Sequence, residues 1–138
     1  MRKLDRRGVA ALEFCLVCVP LFTLMFVIFD FGRYAMTAQS LRALADAEAR
    51  GWMIKCNSPP KVGGVAACSS DYLTASQKQT IAPFLYAAGL TPTVSVTTAA
   101  GGASPLTISA SQTGFAMLVP VWGSTLNAPS VSISIPFR

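Results

Sequence analysis

From Val9 to Phe29 the chain reads VAALEFCLVCVPLFTLMFVIF, and only Glu13 and Thr23 interrupt the apolar run with polar side chains. As a helix this stretch rises about 31 Å, matching a hydrocarbon core of ~30 Å. Backbone polar groups cannot stay unpaired in lipid, so the pattern predicts a membrane-spanning helix over 9–29. Pro20, near its middle, removes one backbone donor and is expected to kink it. Beyond the span the pattern changes to DFGRYAMTAQSLRALADAEAR, rich in helix formers. Tyr34, Ala38, Leu41 and Ala45 fall on one stripe, with Arg42 and Asp46 an i, i+4 pair and the charges of Asp46, Glu48 and Arg50 placed mostly elsewhere. The helix is expected to continue over 30–51, with Gly51 as its stop. A helix from about 9 to 50 is roughly 63 Å long.

The remainder, residues 52–138, reads as a small α+β head. Thr74-x-x-Gln77 has the form of a capping box opening a helix to about Ala88, closed by Gly89, with a later start at Pro83 as the alternative. Three segments then alternate: Val94 and Val96, then Leu106, Ile108 and Ala110, then Val131, Ile133, Ile135 and Phe137 against Ser130, Ser132 and Ser134. Phe115 to Trp122 is a mostly apolar run broken by Pro120. The expectation is an antiparallel sheet of three or four strands with one apolar face, covered by the amphipathic helix half and the short helix.

Charge sharpens the topology. Of a net +5 in 138 residues, the first eight residues hold +3, from Arg2, Lys3, Arg6 and Arg7 against Asp5. Asp30 and Arg33 roughly cancel after the span. The positive-inside rule places residues 1–8 in the cytoplasm and residues 30–138 across the membrane. From Gln79 to Phe137 there is no charged side chain, so the basic balance is an N-terminal tag and not a nucleic-acid surface. There is no His, and all six carboxylates lie within the first 71 residues, which argues against an enzyme and removes any His-based triad or His-bearing metal site. A conventional secretory signal fits poorly, because its apolar region is shorter and the nearest small-x-small triplet, Ala43-Leu44-Ala45, lies inside the expected helix. No cofactor, metal site or small-molecule substrate is expected.

Two features carry candidate chemistry. Glu13 is a carboxylate in an apolar span, which costs roughly 2.5–3.5 kcal/mol at mid-span and less near an edge. Snorkelling to the headgroups is one reading. The other involves Gly8. A cut after Gly8 would give Val9 an α-amine with a pKa of ~7.7–8.0, four residues from Glu13 and about 6 Å along the helix. Ammonium and carboxylate in lipid favour pairing, within one chain or between neighbours. The cysteines form two pairs. Cys15 and Cys18 sit at i, i+3 among Phe14, Leu16 and Val17, where free thiols act as small hydrophobes. Cys56 and Cys68 flank the turn-rich NSPPKVGGVAA; in an oxidising compartment a disulfide there would close a loop of about 13 residues and contribute about 3 kcal/mol on the chain-entropy model. The other reading is two free thiols.

Arg6-Arg7-Gly8-Val9-Ala10-Ala11-Leu12-Glu13-Phe14 resembles the processing site of type IV-like prepilins, and RRGVAALEFCLVCVPLFTLMFVIFDFGR resembles the N-terminal signature of TadE-like proteins, minor pilins or pseudopilins of the tight-adherence (Flp) pilus system. Glu13-Phe14, Pro20 and Asp30-Phe31-Gly32-Arg33 are the most specific points. The stretches Phe115–Gly123 and Val131–Phe137 match the family loosely. Cys15 and Cys18 depart from its usual Ala, Leu or Val. The resemblance implies cleavage by a prepilin peptidase after Gly8, Val9 as the mature N-terminus, and Glu13, with Phe14 beside it, in subunit assembly. It implies other pilins and pseudopilins, an inner-membrane assembly platform and the lipid bilayer as partners. It also implies an inner-membrane protein with its C-terminal domain in the periplasm, incorporated into a pilus that adheres to surfaces. The alternative is an uncleaved single-pass anchor presenting a periplasmic binding or scaffold module.

Overall fold

A computed structural model describes residues 6–56, 71–98, 106–119 and 123–136. One helix dominates. α1 spans Arg6–Cys56 without interruption and contains Pro20. It is long and apolar enough to cross a membrane, and among the described residues none of its most apolar window is buried. The helix passes through Gly51 instead of stopping there. Glycine costs a helix interior only about 1 kcal/mol, and tertiary contacts carry α1 across it. Trp52 is buried in the core, and the Lys55 ammonium lies 5.0 Å from the centre of the Tyr72 ring while donating to the Tyr72 carbonyl at 3.3 Å. Lys55 also places a cation in the last turn, where the helix dipole favours one.

α2 covers Ala75–Ile81 and opens on the expected capping box: the Gln77 N–H donates to the Thr74 hydroxyl at 3.3 Å, and the Thr74 N–H donates to the Gln77 side chain at 2.9 Å. The helix does not reach Ala88. Pro83 disfavours helical geometry at the residue before it, and Ala82 leaves the helical region at φ −133°, ψ 62°. A separate 3-10 helix, Pro83–Gly89, begins with that proline and ends on Gly89 at φ +72°.

The sheet has three antiparallel strands in the order β1 (Thr93–Thr98), β2 (Leu106–Ser111), β3 (Ser130–Ile135). Register aligns the alternation seen in sequence: Val94 faces Ala110 and then Val131, and Val96 faces Ile108 and then Ile133. One face is therefore apolar across all three strands. The opposite face presents Ser or Thr at every paired position, as in the row Ser95, Ser109, Ser132. The apolar face packs on the second half of α1: Leu41, Leu44, Ala45 and Trp52 meet Leu106, Ile108 and Ala110, with Ala82 and Leu85 closing one side. This is the α+β architecture expected, in its three-stranded form.

The apolar run after β2 forms no strand over 115–119. Its backbone groups find other partners. The Phe115 carbonyl accepts from the Ala128 N–H at 3.0 Å, the Met117 N–H donates to the Asn127 side chain at 3.1 Å, and the Val119 N–H donates to Asp30 at 2.7 Å.

Candidate functional site

The N-terminal constellation lies on the uncovered half of α1. Gly8, Val9, Glu13 and Phe14 are all helical and exposed, and among the described residues no atom lies within 4 Å of where a Cβ on Gly8 would stand. Val9 and Glu13 are four residues apart, so they share a face one above the other. Among the described residues Glu13 has no ion-pair partner. Cys15 and Cys18 are free thiols on the same half of the helix. Thr23, the other polar residue of the span, satisfies itself by donating to the Val19 carbonyl at 2.8 Å. The disulfide expected between Cys56 and Cys68 lies outside the described residues: the backbone of Cys56 ends α1, while its side chain and the whole of Cys68 are not described.

The second half of α1 holds two carboxylates that sequence patterning placed wrongly or left without a role. Glu48, expected off the core-facing stripe, is completely buried. Its Oε1 accepts the Tyr72 N–H at 2.7 Å, and its Oε2 has no hydrogen-bond partner. Asp30 is 2% exposed; its Oδ2 accepts the Val119 N–H at 2.7 Å, and its Oδ1 lies 3.5 Å from the Arg33 guanidinium. Arg33 in turn lies over the Phe115 ring at 5.4 Å, and Tyr34 meets the same ring edge-on at 6.3 Å. Asp30, Thr37, Leu41, Leu44 and Glu48 form one buried stripe along the helix. Asp30 and Glu48 stand at its two ends, about five turns or ~27 Å apart on the same face. Each receives a backbone N–H from the head, so the head is fixed to the helix at both ends of the stripe.

Little here resembles a catalytic centre. Among the described residues no group of three or more potential ligands could hold a metal ion. An apolar groove of about 520 Å³ between α1 and β3 is lined by Met53, Ile54, Ile133 and Ile135, with Asp46 and Arg50 its charged groups.

The family model described as TadE-like protein matches residues 8–50. The match begins at Gly8 and runs through the span and both halves of the helix to the end of the buried stripe, in agreement with the resemblance carried by residues 6–33. No curated protein and no solved structure matches the chain.

Proposed function

We propose that this chain, whose helix is TadE-like over residues 8–50, is a minor pilin or pseudopilin of a tight-adherence pilus and has a structural role, not an enzymatic one. It inserts with its basic N-terminus in the cytoplasm and its head in the periplasm, as the flanking charges favour. A prepilin peptidase cuts between Gly8 and Val9 at the cytoplasmic face of the inner membrane. The amine so created on one subunit meets Glu13 of a neighbour, and this pairing sets the stagger between packed helices. Pro20 bends the helix within the bilayer and leaves the Leu16 carbonyl without its usual donor. An inner-membrane assembly platform and companion pilins complete the filament, which serves surface adhesion.

One observation carries this reading: a family match that starts at Gly8 on a helix whose apolar half is covered by none of the described residues. Such a surface needs lipid or other helices around it. Mass spectrometry of the protein recovered from cells with an active peptidase tests the cut. The expected N-terminal peptide begins at Val9, and Gly8→Ala slows its appearance. Recovery of a peptide bridging Gly8 and Val9 as the dominant species would overturn the proposal.

The same reading puts Cys56 and Cys68 in an oxidising compartment, where they form a disulfide that ties the end of α1 to the segment before Tyr72. Alkylation of the native protein without reductant should leave both cysteines unmodified, and both should become reactive after reduction. Modification of Cys56 before reduction counts against the bond.

A further inference from the structure

The contacts around Asp30 draw one loop of the head onto one turn of α1. Phe115 meets the Arg33 guanidinium and the Tyr34 ring, and the Val119 N–H, four residues later, reaches Asp30 itself. Asp30 immediately follows the apolar span that ends at Phe29, so Val119 is held at the depth where the hydrocarbon ends. The residue beside it, Leu118, is 74% exposed, the most exposed of the large apolar side chains described. Phe31, on the same turn as Asp30, is also exposed. The backbone explains the outward side chain: Phe115, Met117 and Val119 bond inward to Ala128, Asn127 and Asp30, and Leu118 lies between the last two.

We propose that the loop 115–119 is a second membrane contact, in which Leu118 enters the boundary between headgroups and acyl chains beside the point where α1 leaves the bilayer. This rests on the reading of residues 9–29 as a membrane span, and it extends that lipid-covered surface onto the head. The bilayer is the occupant because the exposed leucine is continuous with the span and held at its end by a buried carboxylate. Interfacial segments of this kind seat apolar side chains about 5–10 Å into the headgroup and acyl boundary. Arg33, half-exposed on the same turn, can reach phosphate. Asp30 is the positioning residue: it fixes the loop at the right depth through the Val119 N–H. The consequence is a head seated on the membrane before assembly, with the depth of α1, and hence of Glu13, set by that seat.

The test uses the full chain in phosphatidylethanolamine and phosphatidylglycerol vesicles that contain a phospholipid with a photoreactive diazirine at the glycerol end of its acyl chain. Chymotryptic peptides are mapped for lipid adducts after irradiation. Adducts are expected on residues 9–29 and on 115–119, and not on the Ser and Thr face of the sheet. Asp30→Ala should lose the adducts on 115–119 and keep those on the span, while Asp30→Asn, which retains an acceptor for the Val119 N–H, should keep both. Leu118→Asp, at a position too exposed to disturb the core, should lose the 115–119 adducts independently of whether Asp30→Ala folds. Adducts on the span with none on 115–119 in the unaltered protein overturn the proposal and leave the span intact. Adducts on neither overturn the span reading and this inference with it. Undiminished adducts in Asp30→Ala overturn the role given to Asp30.

Discussion

Glu13→Leu gives a protein that inserts in the membrane and is cut after Gly8, yet is missing from sheared filaments. The substitution makes insertion easier, since it removes a group that costs up to about 2.5–3.5 kcal/mol in the span. The peptidase acts five residues away on the Gly8–Val9 bond, whose two residues are exposed. What is lost is the acceptor for a neighbour's new α-amine. Leaving one member of a buried ion pair without the other costs about 3–5 kcal/mol, and each 1.4 kcal/mol is tenfold, so incorporation should fall at least ~100-fold. Immunoblots of the sheared and membrane fractions read this directly. Glu13→Gln separates charge from shape: it keeps the side-chain volume and should fail nearly as badly. An uncleaved anchor presenting a binding module predicts that the natural protein and both variants alike stay in the membrane fraction, whereas full incorporation of Glu13→Leu into filaments would reject the pairing of Glu13 with a neighbour's amine.

The parts of the molecule that sequence revealed are those whose signal is local and periodic. The strand alternation around Val94, Ile108 and Ile133 predicted the apolar face, because side chains in a strand have a fixed period of two. Thr74 and Gln77 announced a helix start through a reciprocal bond that spans three residues. The long apolar helix could be read from hydropathy. Glu48 could not. A carboxylate near Arg50 and Asp46 is normally placed on the solvated face, and its actual partner is a backbone N–H at Tyr72, which no side-chain pattern advertises. Asp30 shows the same limit at longer range, since its partner Val119 is 89 positions away in sequence. The run from Phe115 resembled a fourth strand because an apolar stretch tucked along a helix has the same composition as a buried strand. Its backbone bonds, scattered to Ala128, Asn127 and Asp30, decide the matter.

In that light the two carboxylates of the buried stripe can be read as fasteners. A helix face lined by Leu41 and Leu44 would hold the sheet by apolar contact alone, but such contact is non-directional and fixes neither end of the head along α1. A backbone N–H received at Asp30 and another at Glu48 fix both. Residues of this kind contribute more to a single geometry than to stability, because burying a carboxylate carries a desolvation cost, offset in part at Asp30 by Arg33.

Glu48 is where this balance gives the largest change in stability. Glu48→Ala removes the acceptor for the part-buried Tyr72 N–H and opens space beside Leu44 and Trp52. The unsatisfied group costs about 1–3 kcal/mol, and the lost packing adds to it. The expected loss is about 2–4 kcal/mol, a large fraction of a typical stability of 5–15 kcal/mol. Glu48→Gln behaves differently. Its carbonyl oxygen keeps the Tyr72 bond in a neutral form, and its amide replaces an Oε2 that already had no partner. The weaker bond and the relieved burial of a charge act in opposite directions, so the variant should lie within about 1 kcal/mol of the natural protein. Urea titrations of the detergent-solubilised chain, followed by the fluorescence of the buried Trp52, give both numbers. A Glu48→Gln loss as large as that of Glu48→Ala would show that the full charge, and not the acceptor geometry, holds this end of the head on α1.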